Sequence, residues 1–284
     1  MEKQSFFTLM IMMSFAHGDI LDMTYILNEK AVYFKELAHF NRKLINNGTF
    51  EEAPYVYYND LEISEHMGTH VDAPVHFALG GRMVNELKLT ELHGPAVVID
   101  IRKKAEKDSN ACLELVDILA WEEEFGEIPK GAVIVQYSGW GQYWGDSEAY
   151  VGPQTTDGRL SIESPGLHPD AVNWLLQNRD INGFVMDTRS CDSGANTGTY
   201  LAHRAIMEND KWCVENGANI DKIPRHGSEI YILPMKVEYG SGGHVRMFSI
   251  WNEVAPWHNA SAAKGGAIIS FALISFTLFI HHLM

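Results

Sequence analysis

The segment His66-Met-Gly-Thr-His-Val-Asp-Ala-Pro-Val-His-Phe77 places four groups able to hold a cation or move a proton within eleven positions. They are His66, His70, Asp72 and His76. Neutral imidazole and carboxylate are the donors expected of zinc or manganese chemistry. Gly68 and Pro74 interrupt any regular helix, which excludes a helical i, i+4 histidine pair. The run Thr69-His70-Val71-Asp72 reads instead as a short extended piece, in which residues two apart share a face. His70 and Asp72 then point the same way, and a turn at Gly68 brings His66 round to them. Three ligands with an open position are what a catalytic metal needs. A lone histidine is commonly a surface or packed residue, and the chain has 13 of them. Four such groups so close together, punctuated by Gly and Pro, are hard to attribute to packing.

The elements that must position this cluster are legible as runs of Val and Ile bounded by Gly and Pro. Ala96–Ile101, Ala132–Gln136, Gly183–Asp187 and Glu229–Leu233 read as buried strands. Pro169–Gln177 begins with Pro and Asp in its first turn and lines Val172, Leu175 and Leu176 on one helical face. Leu201–Glu208 is a second helix candidate, and Asp19–Thr24 looks strand-like. Pro234–Tyr239 and His244–Trp251 flank Gly240-Ser-Gly-Gly243, which predicts a hairpin around a Gly-rich turn. That turn lacks the Lys-Ser/Thr of a phosphate loop and precedes a strand, so phosphate binding is rejected. Strands interleaved with helices predict an α/β domain whose sheet the hairpin makes mixed. Tyr137, Trp140 and Trp144 follow a buried strand, where α/β proteins gather ligands, and suit an aryl substrate; the alternative is that they are core. His93 and His168 read as structural.

The motif His-x-Gly-Thr-His-x-Asp-Ala-Pro-x-His-Phe, intact at every fixed position, resembles the signature of the cyclase-like metal-dependent hydrolases. That family contains bacterial kynurenine formamidases and isatin hydrolases. The resemblance implies a single domain of the swivelling β/β/α fold. It implies His66, His70 and Asp72 as metal ligands and His76 as the catalytic acid/base. His203, in Leu-Ala-His, and Glu215, before Asn and twelve residues later, match the family's remaining ligands. Asp187-Thr-Arg-Ser-Cys-Asp192 looks like the family's Asp-Thr-x-Ser-x-Asp loop. The cofactor implied is a pair of divalent ions per subunit, zinc or manganese, and the assembly a homodimer or homotetramer. The activity implied is arylformamidase: metal-activated water hydrolysing N-formyl-L-kynurenine to L-kynurenine and formate, a small aromatic amide substrate. An isatin-type cyclic amide hydrolase fits the same motif. A rival of another class is a secreted metal-binding protein without turnover. The presence of all five ligands and His76 argues against it, since a retired enzyme is expected to lose some.

At 284 residues, 46% hydrophobic and 21% charged, the chain fits one domain with a sizeable core and terminal signals. A formal charge of −15 and no basic stripe exclude a nucleic-acid partner. Residues 1–18 join an apolar run to Ala16-His-Gly18, a secretory signal pattern. The hydrolase domain is then 19–258. In 259–284, small residues, a short spacer and an apolar tail predict a GPI-attachment signal, with a single-pass anchor as the alternative. Either reading puts the domain outside the cell, with membrane contact only through this tail. Sequons at Asn47 and Asn259 agree with secretion. Cys112, Cys191 and Cys213 allow at most one internal disulfide, so stability must come from a core.

Overall fold

The computed structural model describes residues 19–31, 39–153, 162–196 and 198–251. The signal, the tail and the Asn259 sequon lie outside the described residues. Among those described, no helix is long and apolar enough to cross a membrane.

The first strand, β1 (Asp19–Asp22), is followed by an antiparallel ribbon of β2 (Asn41–Phe50) and β3 (Ala53–Glu62). Next come β4 (His70–Asp72), β5 (His93–Asp100), α1 (Arg102–Ala105), β6 (Cys112–Leu113) and α2 (Leu115–Phe125). The middle of the chain forms β7 (Ala132–Tyr137), α3 (Ser147–Val151), β8 (Gly166–Leu167), α4 (Pro169–Asn178) and β9 (Ile181–Met186). It ends with α5 (Leu201–Met207), β10 (Trp212–Glu215), β11 (Glu229–Pro234) and β12 (Gly242–Trp251).

The mixed α/β architecture matches the expectation, and the structure adds closure. The order β12-β11-β5-β7-β9-β10-β4 returns to β12, a barrel of seven strands, and β1 pairs with the far end of β12 beyond its pairing with β4. β5, β7, β9 and β10 run parallel, joined by crossovers that carry the helices, while the other pairs are antiparallel. Strand periodicity says which face is apolar but not which edges meet. Closure was therefore not readable in advance.

Because side chains alternate across a strand, each barrel strand feeds two cores. Val97, Ile99, Ile134, Phe184 and Met186 face outward and pack under α2, α4 and α5 with Ile118, Trp121, Val172, Leu175 and Ile206. Val98, Val133, Val135, Val185, Trp212, Val214, Val71 and Met247 fill the barrel interior. The helices form where expected for local reasons. Pro169 opens α4, the His168 ring accepts the Asp170 N–H at 3.2 Å, and Ala171, Val172 and Leu175 are buried. His168 is thus a structural cap. His93 is structural too, lying 3.2 Å from Glu229 and stacked on Tyr231.

The predicted late hairpin needs correction. Its strands are β11 and β12, residues 235–241 form the connection, and Gly242 and Gly243 already pair with Asp72 and Val71 of β4. The Gly-rich run marks close approach to β4 as well as a turn. The three cysteines are all free thiols, Cys191 and Cys213 fully buried. Asn47 is exposed on the β2–β3 ribbon.

Gly183 on β9 shows how tightly the barrel closes. A Cβ there would lie 2.4 Å from the ring of the fully buried Trp212. Gly183→Ala is expected to lower unfolding free energy by about 1–3 kcal/mol, the usual cost of overpacking, measurable by denaturant titration.

Candidate metal centre

Strand alternation and register assemble the centre. On β4, Val71 points into the barrel, so His70 and Asp72 point out, toward α5. β10 pairs beside it with Cys213 opposite Asp72, Val214 opposite Val71 and Glu215 opposite His70. Trp212 and Val214 are inward, so Cys213 and Glu215 join the outward face. On the other flank β12 sets Gly242 opposite Asp72 and His244 opposite His70. A side chain at Gly242 would fill the place taken by the His66 ring, since its Cβ would stand 2.6 Å from His66 Cε1. Glycine there is what admits a third imidazole beside Asp72.

The tight turn at Gly68, with φ +60°, brings His66 back over β4. Its Nδ1 lies 2.7 Å from Asp72 Oδ1 and its Nε2 2.8 Å from Ser241 Oγ. His203 arrives from α5, its Nε2 3.4 Å from Asp72 Oδ2 and 3.2 Å from Glu215 Oε1. His70 Nε2 is 3.2 Å from Asp72 Oδ1 and 3.5 Å from Glu215 Oε2. Asp72, Glu215 and His70 are each 1% exposed and His203 4%. The structure therefore gathers His66, His70, Asp72, His203 and Glu215 into one buried cluster.

The hydrogen bonds assign the protons on these rings. His70 Nδ1 donates to the Gly68 carbonyl at 2.9 Å, leaving Nε2 as a bare lone pair. His203 Nδ1 donates to Asp192 Oδ2 at 2.6 Å, leaving its Nε2 bare. The Ser241 hydroxyl gives its one proton to Glu65 Oε2 at 2.7 Å, so it must accept from His66 Nε2. His66 Nδ1 is then the bare nitrogen facing Asp72. Three neutral imidazoles would thus turn lone pairs toward two carboxylates, and His70 Nε2 is buried without any hydrogen-bond partner. Lone pairs converge in this way around a cation. The donor set and the orphaned nitrogen fit a divalent metal.

Electrostatics agree. Burial alone would lower the pKa of His70, yet the adjoining Asp72 and Glu215 carboxylates push it up to about 9. Burial would likewise lower His203, but Asp192, Asp72 and Glu215 raise it well above the usual value. Burial would raise Asp72, and the surrounding imidazoles hold it well below the ordinary carboxylate range. The pocket selects positive charge, as protons or as a metal that displaces them. His76 differs. It closes the short turn Pro74–His76 and stacks on the His66 ring at 3.9 Å. Burial is the largest influence on it and, with the neighbouring imidazoles, lowers its pKa to about 4 against the pull of Asp72. It is a neutral imidazole at pH 7.

Several supporting residues escaped the sequence reading. Asp192 holds His203 and also accepts the Ala202 and His203 backbone N–H groups at 2.8 and 3.2 Å, capping the start of α5. Its place in the Asp-Thr-Arg-Ser-Cys-Asp run was the available signal. Glu65 and Ser241 orient His66, and His244 stands beside His70; the motif and the Gly-rich run border them, but neither pattern shows that they meet. The expected aromatics lie elsewhere. Trp140 and Trp144 pack around Tyr150, and Tyr137 lies under the Arg102 guanidinium and lines another cavity of about 340 Å³. Their link to the cluster is indirect: the Tyr150 hydroxyl donates to Asn216, whose amide holds the Gly68 carbonyl that orients His70. Among the described residues, Phe77 stands against His203 with ring centroids 4.5 Å apart, and Tyr200 lies beyond at 6.0 Å.

A barrel flanked by helices, with a buried His/Asp/Glu/Cys cluster on one outer face, is the framework of a metal-binding α/β protein. The chain belongs to the family described as Putative cyclase, whose profile matches residues 21–193. It is 31% identical over 206 residues to an isatin hydrolase of Roseibium aggregatum, covering 70% of this chain and 76% of that protein. A kynurenine formamidase of Bordetella pertussis is 26% identical over 193 residues, covering 67% and 79%. The crystal structure of an isatin hydrolase bound to the product analogue thioisatinate superposes with a TM-score of 0.74 at 26% identity, covering 84% of this chain and 94% of that one.

Asp192→Ala is expected to lower zinc affinity about 10–100-fold by freeing the His203 ring. It should also destabilise the chain by about 1 kcal/mol through the lost cap. Metal titration by calorimetry and thermal unfolding read the two effects separately.

Proposed function

We propose that this chain is a metal-dependent amide hydrolase of the isatin type, opening a cyclic aryl amide with water. The observation that carries the reading is the buried meeting of His66, His70 and His203 lone pairs with Asp72 and Glu215. The choice of cyclic over open-chain amide is supported by the higher identity to isatin hydrolase than to kynurenine formamidase. Arylformamidase, which the sequence motif also suits, is the second reading. An extracellular site rests on the terminal sequence patterns alone and belongs to the same proposal.

His66, His70, Asp72, His203 and Glu215 would hold zinc or manganese, and room on both carboxylates suits a pair of ions. Such ions supply Lewis acidity, lowering the pKa of water toward about 7 and polarising the amide carbonyl. The protein groups do the rest. Asp72 and Glu215 each turn one oxygen toward His70 and the other toward His203, so both would serve as ligands on either side of the cluster. Asp192 and Gly68 lock the rings of His203 and His70 in the tautomers that leave Nε2 bare. His76, neutral at pH 7 and stacked over His66, can accept the proton of the attacking water and hand it to the departing nitrogen. The water oxygen joins the carbonyl carbon, the C–N bond breaks and the nitrogen takes that proton. In a lactam the carboxylate and the arylamine then remain in one product. Phe77 and Tyr200, two rings tilted 43° to each other, offer apolar surface beside His203 for the aryl ring.

The full chain loaded with zinc or manganese is expected to hydrolyse isatin with kcat/KM at least about tenfold above that for N-formyl-L-kynurenine, roughly 1.4 kcal/mol of differential transition-state binding. Hydrolysis of the formamide with isatin untouched would overturn the substrate assignment. His70→Ala should lose both metal and activity. His76→Ala should retain metal while kcat falls about 10²–10⁴-fold, the range of general acid–base contributions.

A further inference from the structure

Cys191 and Cys213 lie against this centre, and nothing in the chemistry above uses them. Cys213 reaches it by register: opposite Asp72 on β10, its Sγ is 3.7 Å from Asp72 Oδ2. Cys191 follows β9, and its backbone N–H donates to Glu215 Oε1 at 3.1 Å. The ligand atoms of Cys191, His203, Cys213 and Glu215 all lie within 4.8 Å of one another, and all four residues are buried. Both thiols border the apolar core under the helices, yet on one side they meet polar groups. These two share their pocket with an imidazole lone pair and a carboxylate.

We infer that Cys191 and Cys213 make the His203 side of the centre a thiolate-containing seat, selective for a soft divalent ion such as zinc. The inference rests on the reading that His70, Asp72 and Glu215 hold a first ion. Two sulfurs, one imidazole nitrogen and one carboxylate oxygen form a tetrahedral zinc donor set. Donors about 2.0–2.3 Å from one ion stand roughly 3.5 Å apart, so small side-chain rotations close the observed cluster onto a cation. The opposite side offers only nitrogen and oxygen, from His66, His70, Asp72 and Glu215. Asp72 divides its oxygens between the two: Oδ1 faces His66 and His70, and Oδ2 faces His203 and Cys213. Glu215 does the same, Oε2 toward His70 and Oε1 toward His203. The carboxylates therefore bridge two unlike seats, one suited to zinc or manganese and one that thiolates bias against manganese.

Cobalt(II) is the probe, because thiolate ligation gives it a near-ultraviolet charge-transfer band that nitrogen and oxygen ligands do not. Metal-stripped full-length protein titrated with cobalt is expected to develop this band. Cys191→Ser and Cys213→Ser should each remove about half of it, as expected if each sulfur is a ligand. The double variant should still bind cobalt, without the band. Manganese alone should fill fewer sites than zinc by metal analysis. Cobalt bound by the wild type without the band overturns the thiolate seat and leaves the first seat standing. No bound cobalt overturns both readings. A single titratable thiol in protein denatured with a chelator and without reductant would mean that two of the three sulfurs form a disulfide, and this also overturns the inference. The wild-type spectrum decides even if a serine variant fails to fold.

Discussion

Everything in this structure is arranged around two carboxylates kept out of water. Asp72 and Glu215 are each 1% exposed, and an uncompensated buried ion costs several kcal/mol. A whole domain is stable by only about 5–15 kcal/mol. Such groups persist only where positive charge neutralises them. Once a metal replaces the inner protons, the surrounding imidazoles keep theirs on the far nitrogens, fixed by Gly68, Asp192 and the Glu65–Ser241 pair. What the rings turn inward is lone pairs. A pocket with this electrostatic demand and this donor set is a cation site before any question of catalysis arises.

The barrel meets that demand by elementary strand geometry. Alternation sends Val71, Trp212 and Val214 into the interior core and leaves His70, Asp72, Cys213 and Glu215 on the outer face. A slip of one residue in the β4–β10 register would bury the chemistry in the barrel and expose the valines. Trp212 against Gly183 and the close pairing of Gly242 with Asp72 hold the strands where they are. Packing residues far from the cluster therefore act on it. Tyr150, wedged between Trp140 and Trp144, reaches it through Asn216 and Gly68.

Much of this was legible in the chain. The spacing of His66, His70 and Asp72 around Gly68 predicted a turn and a shared strand face, and both are present. The major strands and both helices were visible as apolar runs and capping residues. Barrel closure was not, because an edge strand looks the same whether it meets solvent or another strand. The Gly-rich run before His244 was read as a turn, since a glycine needed for close approach has the same letter as one needed for a bend. The aromatic cluster after β7 suggested a substrate wall. In the fold Trp140 and Trp144 pack around Tyr150, while Phe77, the last residue of the motif, and Tyr200 are rings beside His203. The motif equally suited formamidase and isatin chemistry, because metal ligands encode how water is activated and not what it attacks.

The sequence by itself determined the kind of chemistry: imidazoles and carboxylates at a spacing that only a turn and a strand can satisfy. Those are local constraints, set within a few residues by backbone geometry and donor type. Only the tertiary structure decided that His203, Glu215, Cys191 and Cys213 join one buried cluster with them, that Asp192 and Ser241 set the tautomers, and that Gly242 makes room for His66. His66 and Ser241, for one, stand 175 positions apart. These relations arise from strand register and burial, which no local pattern records.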